Sequence, residues 1–202
     1  KLNSTLTFYW FLKVNEYMRI YTDSIPEDNI INPMKEAEAA LAGWLQSDGF
    51  VGQYTKGTNK SLTIEFMTVN DEEFNWVNNN LNLVFPNHHR KVRDVNSKDK
   101  RLKIKRIRLY GEGLRSFINE YNLLNRRKEM RVPSQIFSAP NRVILSYLKS
   151  IFQAEGYTTM KNNAGKIGLA MISKEFVQDI QILLIKLGIY SREMLKYLIR
   201  HL

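Results

Sequence analysis

The chain predicts an α+β fold made of two similar halves, and three observations carry that expectation. A helix-forming segment that ends in a carboxylate and a glycine occurs twice. The copies are Leu41-Ala42-Gly43-Trp44-Leu45-Gln46-Ser47-Asp48-Gly49 and Leu148-Lys149-Ser150-Ile151-Phe152-Gln153-Ala154-Glu155-Gly156. Each is followed by the same order of strand, turn, strand and helix, an internal repeat. The 202 residues are 44% apolar, enough for a substantial core in a single pseudo-symmetric domain.

Small residues fall at matching places in the two copies, Gly43 and Ser47 in one, Ser150 and Ala154 in the other. Residues four apart share a helix face. Two such faces can therefore approach closer than leucine-lined ones. The spacing predicts helices over about 37–48 and 142–155, crossing at these four positions. Gly49 and Gly156 then end the helices and turn them into strands. Two carboxylates, Asp48 and Glu155, come side by side at the helix ends, where like charges repel unless a cation lies between them. Mg²⁺ suits such a site, because it takes one or two carboxylates plus water and phosphate oxygens.

After Asp48-Gly49, the stretch Phe50 to Lys56, a turn at Gly57-Thr58-Asn59 and the alternation of Leu62, Ile64 and Phe66 with Thr63 and Glu65 read as a hairpin. A helix follows from Asp71 through Val77, Leu81 and Val84. After Glu155-Gly156, the segments at 157–160 and 167–172 form the second hairpin around Asn162 to Gly165, and a helix runs from Lys174 through Leu187. The first half continues with strands at 88–95 and 101–110 and a helix at 113–124. The second half has only Ile189 to Leu202 left, in which Leu195, Leu198 and Ile199 look helical. Either the chain is an excised fragment or its second half is shortened. The expected division is an N-terminal extension at 1–35, a first half at 36–133, and a linker with a shorter second half at 134–202. The extension, aromatic at Phe8, Tyr9, Trp10, Phe11, Tyr17 and Tyr21, has no place assigned to it.

The twin segments resemble the paired motif of the LAGLIDADG homing endonucleases of the double-motif, intein type. The first copy keeps Leu-Ala-Gly and Asp-Gly, and in the second Glu replaces Asp. The resemblance covers residues 36–190. It implies a pseudo-two-fold αββαββα fold, the two motif helices at its centre and antiparallel DNA-binding sheets on either side. It also implies a Mg²⁺ (or Mn²⁺)-dependent endodeoxyribonuclease that cuts both strands of a long asymmetric target. Asp48 and Glu155, with the Ser47 and Ala154 carbonyls, would hold the metal. Asn125 to Pro133 resembles the linker between halves, where the family places a basic residue beside the active site. Lys128 is the best match, with Arg131 and Arg127 as alternatives. By the resemblance, the hairpins would offer Gln53, Tyr54, Lys56, Lys60 and Thr63, and in the second half Thr159, Lys161 and Lys166, to double-stranded DNA.

Charge agrees with that partner. The net charge is +10, and ten Lys or Arg lie between Arg90 and Arg108 against Asp94 and Asp99. Lys91, Arg93, Lys103, Lys105, Arg106 and Arg108 are the candidates here, on a sheet with one buried and one basic face. The apolar phase slips between Lys105 and Arg106, which predicts a bulge. The chain has no cysteine, so disulfides and thiolate metal sites are excluded. No apolar run approaches membrane length, no signal peptide is visible, and an intracellular monomer is expected. The first residue is Lys1 and the last two are not His-Asn, so the termini of a self-splicing intein are not expected. No Glu-x-Lys occurs, and His88-His89 lacks the context of another nuclease class. An RNA-splicing maturase, or an inactive DNA-binding relic of the same fold, are the alternatives.

Overall fold

The computed structural model describes residues 2–10, 31–53, 62–96, 103–161 and 164–197. The predicted contacts of Tyr54, Lys56 and Lys60, the turn at 57–59 and the residues Leu198 and Ile199 lie outside them. The chain forms two compact units. The first comprises 32–124 and 145–154; the second comprises 1–31, 125–144 and 155–202.

In the first unit, helix α1 (Pro33–Ser47) starts four residues before the expected 37. The Asn32 side chain accepts from the Lys35 N–H at 3.1 Å, and Pro33 needs no partner for an N–H it lacks. Strands β2 (Phe50–Gln53), β3 (Leu62–Thr68), β4 (Arg90–Asp94) and β5 (Lys105–Tyr110) make an antiparallel sheet in the order β2-β3-β5-β4. Helix α2 (Asp71–Val84) carries a reciprocal cap: Asn70 accepts from the Glu73 N–H at 2.8 Å, and Glu73 accepts from the Val69 N–H at 2.9 Å. A short helix, α3 (Arg115–Glu120), follows a 3₁₀ turn at Glu112–Leu114. The core lies between sheet and helices. Leu62, Ile64, Phe66, Ile107 and Leu109 meet Leu41, Leu45, Trp44, Val77 and Leu81, all of them buried.

The second unit holds a 3₁₀ turn at Arg127–Glu129 and the short α4 (Ser134–Phe137). Its helix α6 (Lys174–Lys186) is capped by Ser173, which accepts from the Phe176 N–H at 3.0 Å. Helix α5 (Asn141–Glu155) lends residues 145–154 to the first unit. The second sheet joins β6 (Gly156–Lys161), β7 (Ala164–Met171), β1 (Leu2–Trp10) and β8 (Arg192–Tyr197) in the order β6-β7-β1-β8.

Here the structure corrects the sequence reading. The second sheet is not shortened: it has four antiparallel strands, like the first. Its strands β1 and β8 come from opposite ends of the chain. Strand β1, expected in a separate extension, pairs with β7 (Leu6 opposite Leu169) and with β8 (Ser4 opposite Leu195). The segment around Leu195 is therefore strand, not helix. Apolar residues three and four apart in a six-residue stretch do not separate the two, and the open edge of β1 decides in favour of strand. The bulge between Lys105 and Arg106 is absent as well, because β5 pairs without interruption from Lys105 to Tyr110 on both of its sides.

Candidate functional site

The close helix approach is present in the first unit. A Cβ placed on Gly43 would lie 2.5 Å from the Tyr147 carbonyl oxygen and 3.2 Å from the Ser150 Cβ. Only glycine lets the backbone of α1 come that near α5. The Tyr147 hydroxyl donates to the Gln46 amide oxygen in the same contact, so a buried polar pair fixes the register. Gly43 and Ser150 thus meet as expected. The Ser47 hydroxyl turns back onto its own helix, donating to the Gly43 carbonyl at 2.8 Å and the Trp44 carbonyl at 3.1 Å.

Asp48 caps α1, its N–H donating to the Trp44 carbonyl at 3.0 Å. Gly49 must be glycine, since a Cβ there would sit 2.5 Å from the Leu45 Cα. Burial, and then the negative charge of Glu73, push the Asp48 carboxyl above the usual carboxylate range. Glu73 is itself held, accepting from the Gln153 amide at 3.1 Å. This second acid beside Asp48 is not among the site residues expected from the sequence. Glu155 closes α5, directly before Gly156 opens β6. The donors named for a metal, the Asp48 and Glu155 carboxylates and the Ser47 and Ala154 carbonyls, are all oxygens. Oxygen donors suit a hard divalent cation, and a cation beside Asp48 would relieve the repulsion there.

Lys128 is exposed in the 3₁₀ turn. Arg131, one of its alternatives, is committed elsewhere. Its guanidinium grips the buried Asp179 through two bonds of 2.7 and 2.8 Å, and the Val132 N–H adds a third at 3.1 Å.

The basic run divides in space. On one face of the first sheet stand Lys91 and Arg93 of β4, opposite Arg108 and Arg106 of β5. Glu65 and Met67 of β3 complete the rows. Lys91 and Arg93 are exposed, while Arg106 and Arg108 are half-buried. Both arginines flank the Glu65 carboxylate: Arg106 Nε is 2.9 Å from Oε1, and Arg108 Nε and Nη2 bind Oε2. Arg108 Nη1 also donates to the Tyr110 hydroxyl at 3.2 Å. The Tyr110 hydroxyl and Glu65 together raise the Arg108 guanidinium above its ordinary range.

Four other predicted contacts are placed differently. Lys103 and Lys105 reach the start of α2 instead: their ammonium groups lie 2.7 and 3.3 Å from the Asp71 carboxylate. The Lys105 ammonium also sits 4.5 Å over the Phe74 ring. This explains the slipped phase, since Lys105 shares the face of Ile107 and covers the core with its stem. Thr63 has only 1% of its surface exposed, in a strand flanked on both sides. Gln53 pairs with Leu62, so it alternates onto the face of Val51 and Ile64 rather than that of Arg108. Arg90, also in the run, is spent on packing, donating to Asn78 at 2.7 Å and Asn82 at 2.6 Å of α2. In the second sheet, Thr159 is exposed and stands opposite Lys166 in the ladder. The side chains of Lys161 and Lys166 lie outside the described residues.

Comparison with known proteins adds the following. Residues 142–197 match the model of the LAGLIDADG-like domain family. A glutamine–fructose-6-phosphate aminotransferase of Methanocaldococcus jannaschii is 42% identical over 69 residues, 34% of this chain and 6% of that protein. A probable translation initiation factor IF-2 of Thermococcus kodakarensis is 33% identical over 73 residues, 36% of this chain and again 6% of that protein. The chain thus spans only a small part of the curated relatives it matches. Among solved structures, I-DmoI in complex with DNA and Mn aligns with a TM-score of 0.49 at 15% identity, over 78% of this chain and 80% of that one. The homing endonuclease I-WcaI bound to its DNA recognition sequence gives 0.38 at 8% identity, over 84% and 85%. The matched segment contains nearly all of α5 and the hairpin and helix after it.

Proposed function

We propose that the chain is a site-specific double-strand DNA endonuclease of the homing type, acting as an intracellular monomer on a long asymmetric target. One observation carries the reading. The backbone crossing at Gly43 leads straight into an electrostatically strained Asp48, in the unit that also presents the basic row of Lys91, Arg93, Arg106 and Arg108. Asp48 and Glu155, with the Ser47 and Ala154 carbonyls, hold Mg²⁺ or Mn²⁺. The bound metal would activate water and neutralise charge on the cleaved phosphate. The basic row binds the duplex, drawn to it by the charge of its phosphates. Thr159, Lys161 and Lys166 serve the other half of the target. Lys128 stands at the border of the site as its basic residue.

The relatives support an inserted element. An aminotransferase and a translation factor have no chemistry in common, yet each shares about 70 residues, a small fraction of its length, with this chain. A module carried inside unrelated hosts fits that pattern, as homing endonucleases are.

The test is a digest of a random-sequence duplex library with Mg²⁺, sequenced at the cut ends, beside binding to structured RNA. A single long consensus, cut on both strands, supports the proposal. Binding to RNA without cleavage would make the chain a maturase. Salt-dependent DNA binding without cleavage would make it an inactive relic.

A further inference from the structure

Glu65 is a carboxylate in a place where phosphates are expected. It lies in the central strand of the basic sheet, opposite Arg108, with its side chain 9% exposed. A negative charge there weakens attraction to DNA of any sequence, so bulk electrostatics does not account for it. Its geometry does. The carboxylate pairs by charge with Arg106, whose Nε is 2.9 Å from one oxygen but makes no hydrogen bond there, and holds the Nε/Nη2 side of Arg108 on the other. Tyr110 takes one N–H of Arg108 Nη1 at 3.2 Å. A guanidinium has five N–H donors. Two of those of Arg108 are used in hydrogen bonds, on Nε and Nη1, and Nη2 lies against the same carboxylate, so donors remain on both terminal nitrogens. That end-on fork matches the O6 and N7 acceptors of a guanine in the major groove. The side chain is still 34% exposed, so the fork is reachable. Lys91 and Arg93, in the next strand, have no carboxylate opposite them in the ladder and are exposed.

We propose that Glu65 is a positioning residue for sequence readout: it locks Arg106 and Arg108 as base readers, while Lys91 and Arg93 supply the phosphate contacts. This rests on the reading of the sheet as a DNA-binding surface. An arginine that is already immobilised loses less rotamer entropy when it meets a base edge. The wrong base then leaves a desolvated fork unpaired, which is how a polar site discriminates.

The experiment uses the full chain and duplexes selected by the wild type from a random library. Binding is measured to the selected duplex, to each of its single-base-pair variants and to an unrelated duplex, over a salt series. Arg108→Ala identifies the base pairs read by that side chain. Glu65→Gln is expected to lose about tenfold discrimination at those same pairs and at the pair beside them read by Arg106. Preference elsewhere should be kept, and binding to the unrelated duplex should be equal or tighter. The double variant Glu65→Gln/Arg108→Ala should lose nothing further at the Arg108 pairs. Glu65→Asp, which keeps the charge but is too short to hold both arginines, should lose part of the discrimination.

Full preference in Glu65→Gln at the mapped pairs would overturn the proposal. So would a loss spread evenly over all positions, the mark of structural damage. If Glu65→Gln does not fold, Arg108→Lys keeps the charge without the fork, and retained preference there would overturn the proposal too. Salt-dependent binding by the wild type without any sequence preference would refute this inference but leave the DNA-binding surface standing. No DNA binding at all would refute that surface as well.

Discussion

Replacing Gly43 by alanine sets two effects of opposite sign against each other. In the interior of a helix, the change stabilises by about 1 kcal/mol through propensity alone. At this position the new methyl would lie 2.5 Å from the Tyr147 carbonyl oxygen, 3.2 Å from the Ser150 Cβ and 3.3 Å from a Tyr147 ring carbon. Ordinary contact begins at about 3.5 Å, and the nearest atom is backbone, so no side-chain rotation relieves the clash. The two helices must part by about 1 Å, and overpacking of this kind costs about 1–3 kcal/mol. The separation also loosens the buried bond between Tyr147 and Gln46, worth about 1 kcal/mol. The net expectation is a destabilisation of about 2 kcal/mol, which for a chain of this size lowers the melting temperature by about 4–8 °C. Thermal unfolding followed by circular dichroism measures it, and Gly43→Leu should be worse. A Gly43→Ala variant that melts at or above the wild type would show that propensity wins and that the helices do not touch here.

Asp48→Asn should raise stability near neutral pH in metal-free buffer. The Asp48 carboxyl titrates above its unfolded value of 3.8, so its ionisation weakens the fold as pH rises through the folded pKa; below about 3.8 both states are protonated and the gain of the variant should vanish. Melts of the two proteins across pH check the sign, and added Mg²⁺ should stabilise the wild type only. The same substitution, or Glu155→Gln, should abolish cleavage and leave DNA binding intact, read from nicking and gel-shift assays; cutting by a variant that lacks both acids would refute their role. Lys91→Ala should lower the salt slope of DNA binding by about one unit, whereas Lys103→Ala, whose ammonium is already paired with Asp71, should leave it nearly unchanged. Arg131→Ala strands the buried Asp179 carboxylate and should destabilise by about 3 kcal/mol in urea unfolding; a neutral result would return Arg131 to the candidates for the basic site residue.

The helices and the first of the two helix-end acids were legible in the sequence because they depend on neighbours three and four residues away, whereas the caps emerged only from the structure. Asn32, Asn70 and Ser173 each cap the helix that follows them. Gly43 and Ser150 meet because small residues at helical spacing leave room for one another whatever surrounds them. The first hairpin and the helix after it followed from alternation alone. The basic character of residues 90–108 was equally plain, but its use was not. Which cation faces the sheet's open side and which is tied to Asp71 or to Asn78 and Asn82 depends on where α2 packs. A charge in the sequence carries no record of its partner.

The second sheet marks the limit most clearly. Nothing in residues 2–10 or 192–197 says that they pair with each other and with β7. Strand pairing is made by backbone groups that every residue has, across a separation of nearly the whole chain. Local pattern determines what a segment can become. Only the tertiary structure, by closing the open edges of β7 and β1, decided that both segments became strands of one sheet.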